Sequence, residues 1–65
     1  MKYQQGQPVI LLTMEGKPAT GTAVIKTVNT ENESYTVLHY PREGAEPDQI
    51  DNVPEGRLVA HVFFS

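Results

Sequence analysis

Imidazoles, carboxylates and hydroxyls are the side chains here with chemistry to offer, and their spacing decides what they can do. The two histidines are His39 and His61. No His-x-His or His-Glu-x-x-His pattern places two imidazoles on one face of an element, as a zinc site requires. The carboxylates Glu46, Asp48 and Asp51, with the amide of Gln49 among them, are the run that suggests a calcium loop. It lacks the ordered acids, central glycine and closing glutamate of an EF-hand loop, and reads as a solvated acidic loop. Cysteine is absent, which removes thiolate ligands, disulfides and a sulfur nucleophile together. Ser34 and Ser65 are the serines, and neither lies in a Gly-x-Ser-x-Gly elbow. The glycines occur singly, so no loop is built to cradle phosphate. No catalytic residue, cofactor-binding residue or metal ligand is assigned on this basis, no cofactor is expected, and the chain reads as non-enzymatic.

Charge narrows the partners. Five Lys and Arg against eight Asp and Glu give a net charge of −3. Phosphate backbones are held by clustered cations that release counterions. Lys2, Lys17, Lys26, Arg42 and Arg57 are scattered singly, whereas Glu43, Glu46, Asp48, Asp51 and Glu55 crowd one region. Nucleic-acid binding is therefore disfavoured, and as the second reading it requires Lys17, Lys26, Arg42 and Arg57 to converge on one face. Residues 1–6 contain no long apolar stretch of the signal-peptide kind, and the longest apolar run, residues 9–12, is far too short for a bilayer. A cytoplasmic location without membrane contact is the expectation.

The elements that must position these groups are strands. Gly or Pro recurs every few residues, and no window holds apolar positions at a 3.6-residue period. At 65 residues the chain is one all-β domain, 1–65. The predicted strands are 9–14, 20–28, 34–40, 49–53 and 58–64. Pro8 lacks a donor and belongs at the start of the first. Residues 15–18 make a turn in which Gly16 takes positive φ. Residues 29–33 form a hairpin loop and 41–48 an exposed irregular loop. Residues 54–57 form one 3-10 turn. Gly56 is expected to hold a conformation that larger side chains resist, so that Gly56→Val destabilises by about 1 kcal/mol or more.

Alternation along these strands predicts both faces, because successive side chains point to opposite sides. Val9, Leu11, Ala23, Ile25, Tyr35, Val37, Leu58, Ala60 and Val62, with Ile50 and Val53, form the expected core. The opposite face should be largely polar in a small monomeric sheet. Instead it carries Ile10, Leu12 and Met14, Val24, Leu38 and Tyr40, and Val59 and Phe63. From these, Ile10, Leu12, Leu38, Tyr40, Val59 and Phe63 are taken as the candidate interaction surface for a protein partner or a second copy, with a homodimer as the simplest symmetric form.

The order of these features resembles the SH3-like barrel superfamily in its broad sense, including Tudor, chromo-barrel and KOW modules, without matching one family. Gly6-x-x-Val9 and Gly21-x-x-x-Ile25 are similar to the opening of such barrels. Residues 35–40 (Tyr-Thr-Val-Leu-His-Tyr) followed by 53–58 (Val-Pro-Glu-Gly-Arg-Leu) resemble their later strands. The resemblance implies a five-stranded antiparallel SH3-like barrel with a 3-10 turn before the last strand. A methyl-lysine cage of that kind would draw on Tyr3, Tyr35, Tyr40, Phe63 or Phe64, though Asn52 stands where a tryptophan often precedes the Val-Pro step. A remoter resemblance is to the oligomeric type II dihydrofolate reductases, also small barrels, through Gln49-Ile50 in a segment flanked here by Asp48 and Asp51.

Overall fold

The computed structural model describes residues 2–61. Its strands are β1 (Pro8–Leu11), β2 (Thr22–Asn29), β3 (Ser34–Tyr40), β4 (Asp48–Pro54) and β5 (Leu58–Ala60), with a 3-10 turn at Glu55–Arg57. They form one antiparallel sheet in the order β4-β3-β2-β1-β5. β1 pairs with β2, β2 with β3 and β3 with β4. The 3-10 turn then carries the chain to the far edge, where Val9, Ile10 and Leu11 pair with Ala60, Val59 and Leu58. The first and last described strands thus lie side by side, and β4 and β5 are the sheet's edges.

Local chemistry explains the boundaries. Pro8 opens β1, where its missing donor is tolerated. β1 stops at Leu11, three residues before the expected end. The Thr13 amide donates to the Lys17 carbonyl at 2.7 Å, and the Gly16 amide to the Thr13 carbonyl at 2.9 Å. This turn takes Met14 out of the ladder and leaves it 96% exposed. Gly16 adopts φ 81° there, as expected. β2 starts two residues later than expected and β4 one residue earlier, so Asp48 belongs to a strand. The β2–β3 hairpin closes through Asn29 opposite Ser34. Its last loop residue, Glu33, lies at φ 54°, the left-handed step common at the end of a four-residue hairpin loop.

Two irregularities converge on Thr36. On β2, Ile25 faces Val37 and Thr27 faces Thr36, so Lys26 is an extra residue. On β4, Val53 faces Tyr35 and Ile50 faces Val37, so Asp51 and Asn52 together oppose Thr36. Bulges bend a strand and raise its twist. A pair flanking one residue curls the sheet around its inner face. The β2 bulge also restores alternation with a shift, which puts Val28 against the core. The β4 bulge, with Asn52 at φ 56°, lets Ile50 and Val53 face the same side although they are three residues apart.

The inner face holds the core: Val9, Leu11, Ala23, Ile25, Tyr35, Val37, Val53 and Leu58 are buried, with Ile50 and Ala60 packed partly against them. Val62 lies outside the described residues. Tyr3 is a further core member that alternation does not reveal. Its ring meets Tyr35 edge-on at 5.6 Å, its amide donates to the Tyr35 hydroxyl at 3.1 Å, and its hydroxyl donates to the Leu58 carbonyl at 3.1 Å. The N-terminal segment is held across the core because the Gly6 amide donates to the Ile25 carbonyl and the Ile25 amide to the Gln7 carbonyl.

The glycine expectation is corrected. Gly56 has ordinary φ, and a Cβ there would meet nothing within 4 Å. Gly21 is the constrained position. It lies at φ +84°, and a Cβ would sit 1.9 Å from the Tyr40 carbonyl oxygen. Among the described residues no helix is long and apolar enough to cross a membrane.

Candidate functional site

With the inner face closed by its own side chains, the outer face carries what remains of the apolar surface. Pro8 and Ile10 on β1, Val24 on β2, Leu38 on β3 and Val59 on β5 alternate with buried residues and so point outward. Register joins them across the strands. Leu38 is opposite Val24, Val24 is opposite Pro8, and Ile10 is opposite Val59. The result is an apolar stripe from β3 to the β5 edge. Four of its residues are half-buried by lateral contact, and Val59 is 44% exposed.

The expected surface residues divide accordingly. Ile10, Leu38 and Val59 fall within the stripe, joined by Pro8 and Val24. Tyr40, opposite Thr22, stands at its corner beside a cleft formed with Gly21, Arg42, Glu43 and Gly44. Leu12 leaves the ladder to bridge Pro18. There its amide donates to the Arg57 carbonyl at 2.8 Å, and its carbonyl accepts the Arg57 Nη2 at 2.7 Å. Phe63 lies outside the described residues.

Polar groups border the stripe on the β4 side. Lys26 Nζ donates to Gln49 Oε1 at 2.6 Å, and Gln49 Nε2 donates to Asp51 Oδ1 at 3.2 Å. Thr36 Oγ1 donates to the same Asp51 oxygen at 3.3 Å and accepts Asn29 Nδ2. The paired bulges bring these residues together. Beyond them an open polar cleft of about 640 Å³ runs along Asn29, Glu31, Thr36, Asp51 and Asn52. The buried Ser34 donates its hydroxyl to Asn32 Oδ1 at 2.7 Å and shapes the hairpin end.

Other chemistry is placed elsewhere or already committed. His39 Nε2 lies 2.7 Å from the Thr20 carbonyl oxygen, so that nitrogen acts as a donor. Among the described residues no three His, Asp or Glu side chains come together as a metal-ligand set. Tyr3 and Tyr35 are corrected as cage candidates, because both rings are sealed in the core. The four cations of the nucleic-acid reading are divided: Arg57 lines a cleft with Leu12 and Met14, Arg42 one with Tyr40, while Lys26 bonds Gln49 on the outer face and Lys17 closes the 13–17 turn. Gln49 and Ile50 point to opposite sides, Gln49 into the polar border and Ile50 toward the core. Comparison with protein-family models, with curated proteins and with solved structures finds no match.

Proposed function

We propose that this chain is a non-enzymatic interaction module that docks a protein partner on the outer face of its sheet. The carrying observation is the stripe Leu38–Val24–Pro8 with Ile10–Val59, which no second layer covers among the described residues. Contiguous apolar surface on a small domain marks contact sites more often than it serves stability. The platform in this reading is an SH3-like barrel. Its support is the sheet order β4-β3-β2-β1-β5, the 3-10 turn before β5, and the two bulges that curl the sheet at Thr36. A second copy is one form that the partner takes in this reading.

Site-specific photocrosslinking in the native host tests the docking face. Benzoylphenylalanine in place of Val59, on the stripe, should give discrete protein adducts. The same probe in place of Thr30, at the hairpin tip, should give none of them. No adduct at 59, or the same adducts from both positions, would remove the reading.

A further inference from the structure

At the end of the β1–β5 pair a cleft opens whose hydrogen-bonding capacity is only partly used. It is lined by Leu12, Thr13, Met14, Gly16, Gly56 and Arg57 and encloses about 370 Å³. Leu12 is half-buried there, and Met14 stands almost fully exposed at the rim. Arg57 is the charged member. Its Nη2 donates to the Leu12 carbonyl at 2.7 Å, and the Leu12 amide donates back to the Arg57 carbonyl at 2.8 Å. Nε is buried and has no hydrogen-bond partner. A guanidinium carries five N–H donors, of which the Leu12 carbonyl takes one. Among the described residues no carboxylate pairs with Arg57. With its inner nitrogen sealed off unpaired, the guanidinium gains all the more from an acceptor at its open nitrogens. Thr13 adds a second donor, because its Oγ1 accepts the Lys17 amide at 3.3 Å and keeps its own proton. Glu15 and Glu55 flank the cleft against Lys17 and Arg57, so net charge does not choose the ligand. The unpaired donors do.

Resting on the docking reading above, we infer that this cleft receives the C-terminal carboxylate of the partner, a peptide end whose last residue is apolar. Arg57 and the Thr13 hydroxyl hold the carboxylate, the guanidinium by the charge-assisted bonds that suit that group best. Leu12 and Met14 hold the last side chain. Position favours a peptide end over a free acid. The Leu12–Arg57 bond lies two residues beyond the Ile10–Val59 pair, about 7 Å along the strands. An extended peptide that ends at Arg57 therefore sets the residue two places back beside Ile10 and Val59. Capture of a chain end by positioned donors is a recurrent mode of peptide recognition.

Random N-acetylated hexapeptides with free C-termini, screened against the immobilised full chain, test this. The enriched ones should end in an apolar residue and carry another two places back. Their binding should fall at least about tenfold when the same peptides are made as C-terminal amides. Arg57→Lys keeps the charge without the planar fork, and should weaken free-acid binding about threefold to tenfold. In the parent the Arg57 Nε–H resonance should shift as peptide is added. Val59→Asn should weaken acid and amide by a similar factor, since it touches only the docking face. Peptides that need Val59 but bind equally as amides would overturn the carboxylate inference and leave the docking face standing. Amide-sensitive binding that ignores Val59→Asn would uphold the Arg57 site and overturn the docking face. If N-acetyl-leucine binds as tightly as the hexapeptides, the ligand is a free acid and the peptide end is overturned. Enrichment of nothing, or an Arg57 Nε–H resonance that stays still, would overturn the inference outright.

Discussion

The two faces of this sheet have nearly the same kinds of residue and opposite fates. Val37 and Leu38 are neighbours on β3. Val37 is fully buried, whereas Leu38 is half-buried on a surface that nothing described covers. The difference is not hydrophobicity, since Leu38 is the larger apolar side chain. It comes from curvature and from the N-terminal segment. Bulges at Lys26 and at Asp51–Asn52 bend the sheet toward the Val37 side, and Tyr3 packs over that side against Tyr35. Apolar residues on the concave face meet each other, while those on the convex face meet only their lateral neighbours. An apolar residue is thus evidence of a core only when the backbone curves around it.

The largest break in this arrangement should come from Gly21→Ala. The added methyl collides with backbone, the Tyr40 carbonyl oxygen, at a φ that L-residues resist. A cost of about 3 kcal/mol or more is expected. A domain of this size has only on the order of 3–10 kcal/mol in total, so the variant should be largely unfolded by circular dichroism at 37 °C. Gly56→Ala should shift the urea midpoint little, about 0.5 kcal/mol at most.

Next in size is the contrast between neighbours. Val37→Ala should cost about 2–3 kcal/mol, from lost burial plus a cavity. Leu38→Ala removes more atoms and should cost about 1 kcal/mol or less, because the site already faces solvent. Equal costs in urea titrations would mean that the outer face is covered. Tyr3→Phe comes third, at about 1 kcal/mol, for the lost bond to the Leu58 carbonyl. The smallest effect belongs to Val59→Lys, expected within about 0.5 kcal/mol of the parent. Such a variant stays folded, so it separates the proposed docking from stability.

Much of this was legible in the residue order. Pro8 and the turn at Gly16 bound the first strand, and the residues of β3 were placed to both ends. The alternation within each strand separates Val9, Ala23, Ile25 and Val37 from Ile10, Val24 and Leu38. Three features were not legible. Tyr3 is a single aromatic in a polar segment and carries no period. Val28 follows the outward parity of Val24 and Lys26 until the bulge turns it inward. The Pro-Glu-Gly-Arg segment has the composition of a constrained turn, but the constraint lies at Gly21, where a carbonyl nineteen residues away crosses the chain.

The candidate surface was legible in the same uneven way. Ile10, Leu38 and Val59 could be assigned to one face from parity, but their union into a stripe depends on Pro8 and Val24 lying between them in register. Leu12 shares that parity and is lost from the stripe, because the 13–17 turn draws it to Pro18 and Arg57.

What the sequence by itself determined was an all-β chain, its strand residues and the apolar character of both faces. These are local properties, set by side-chain branching, by period-two alternation and by Pro and Gly at the turns. The tertiary structure alone decided which face closed into a core, which glycine was indispensable, and which of the outward apolar residues joined into one stripe. Each depends on residues distant in the chain coming into register, and register is a property of paired strands rather than of any one of them.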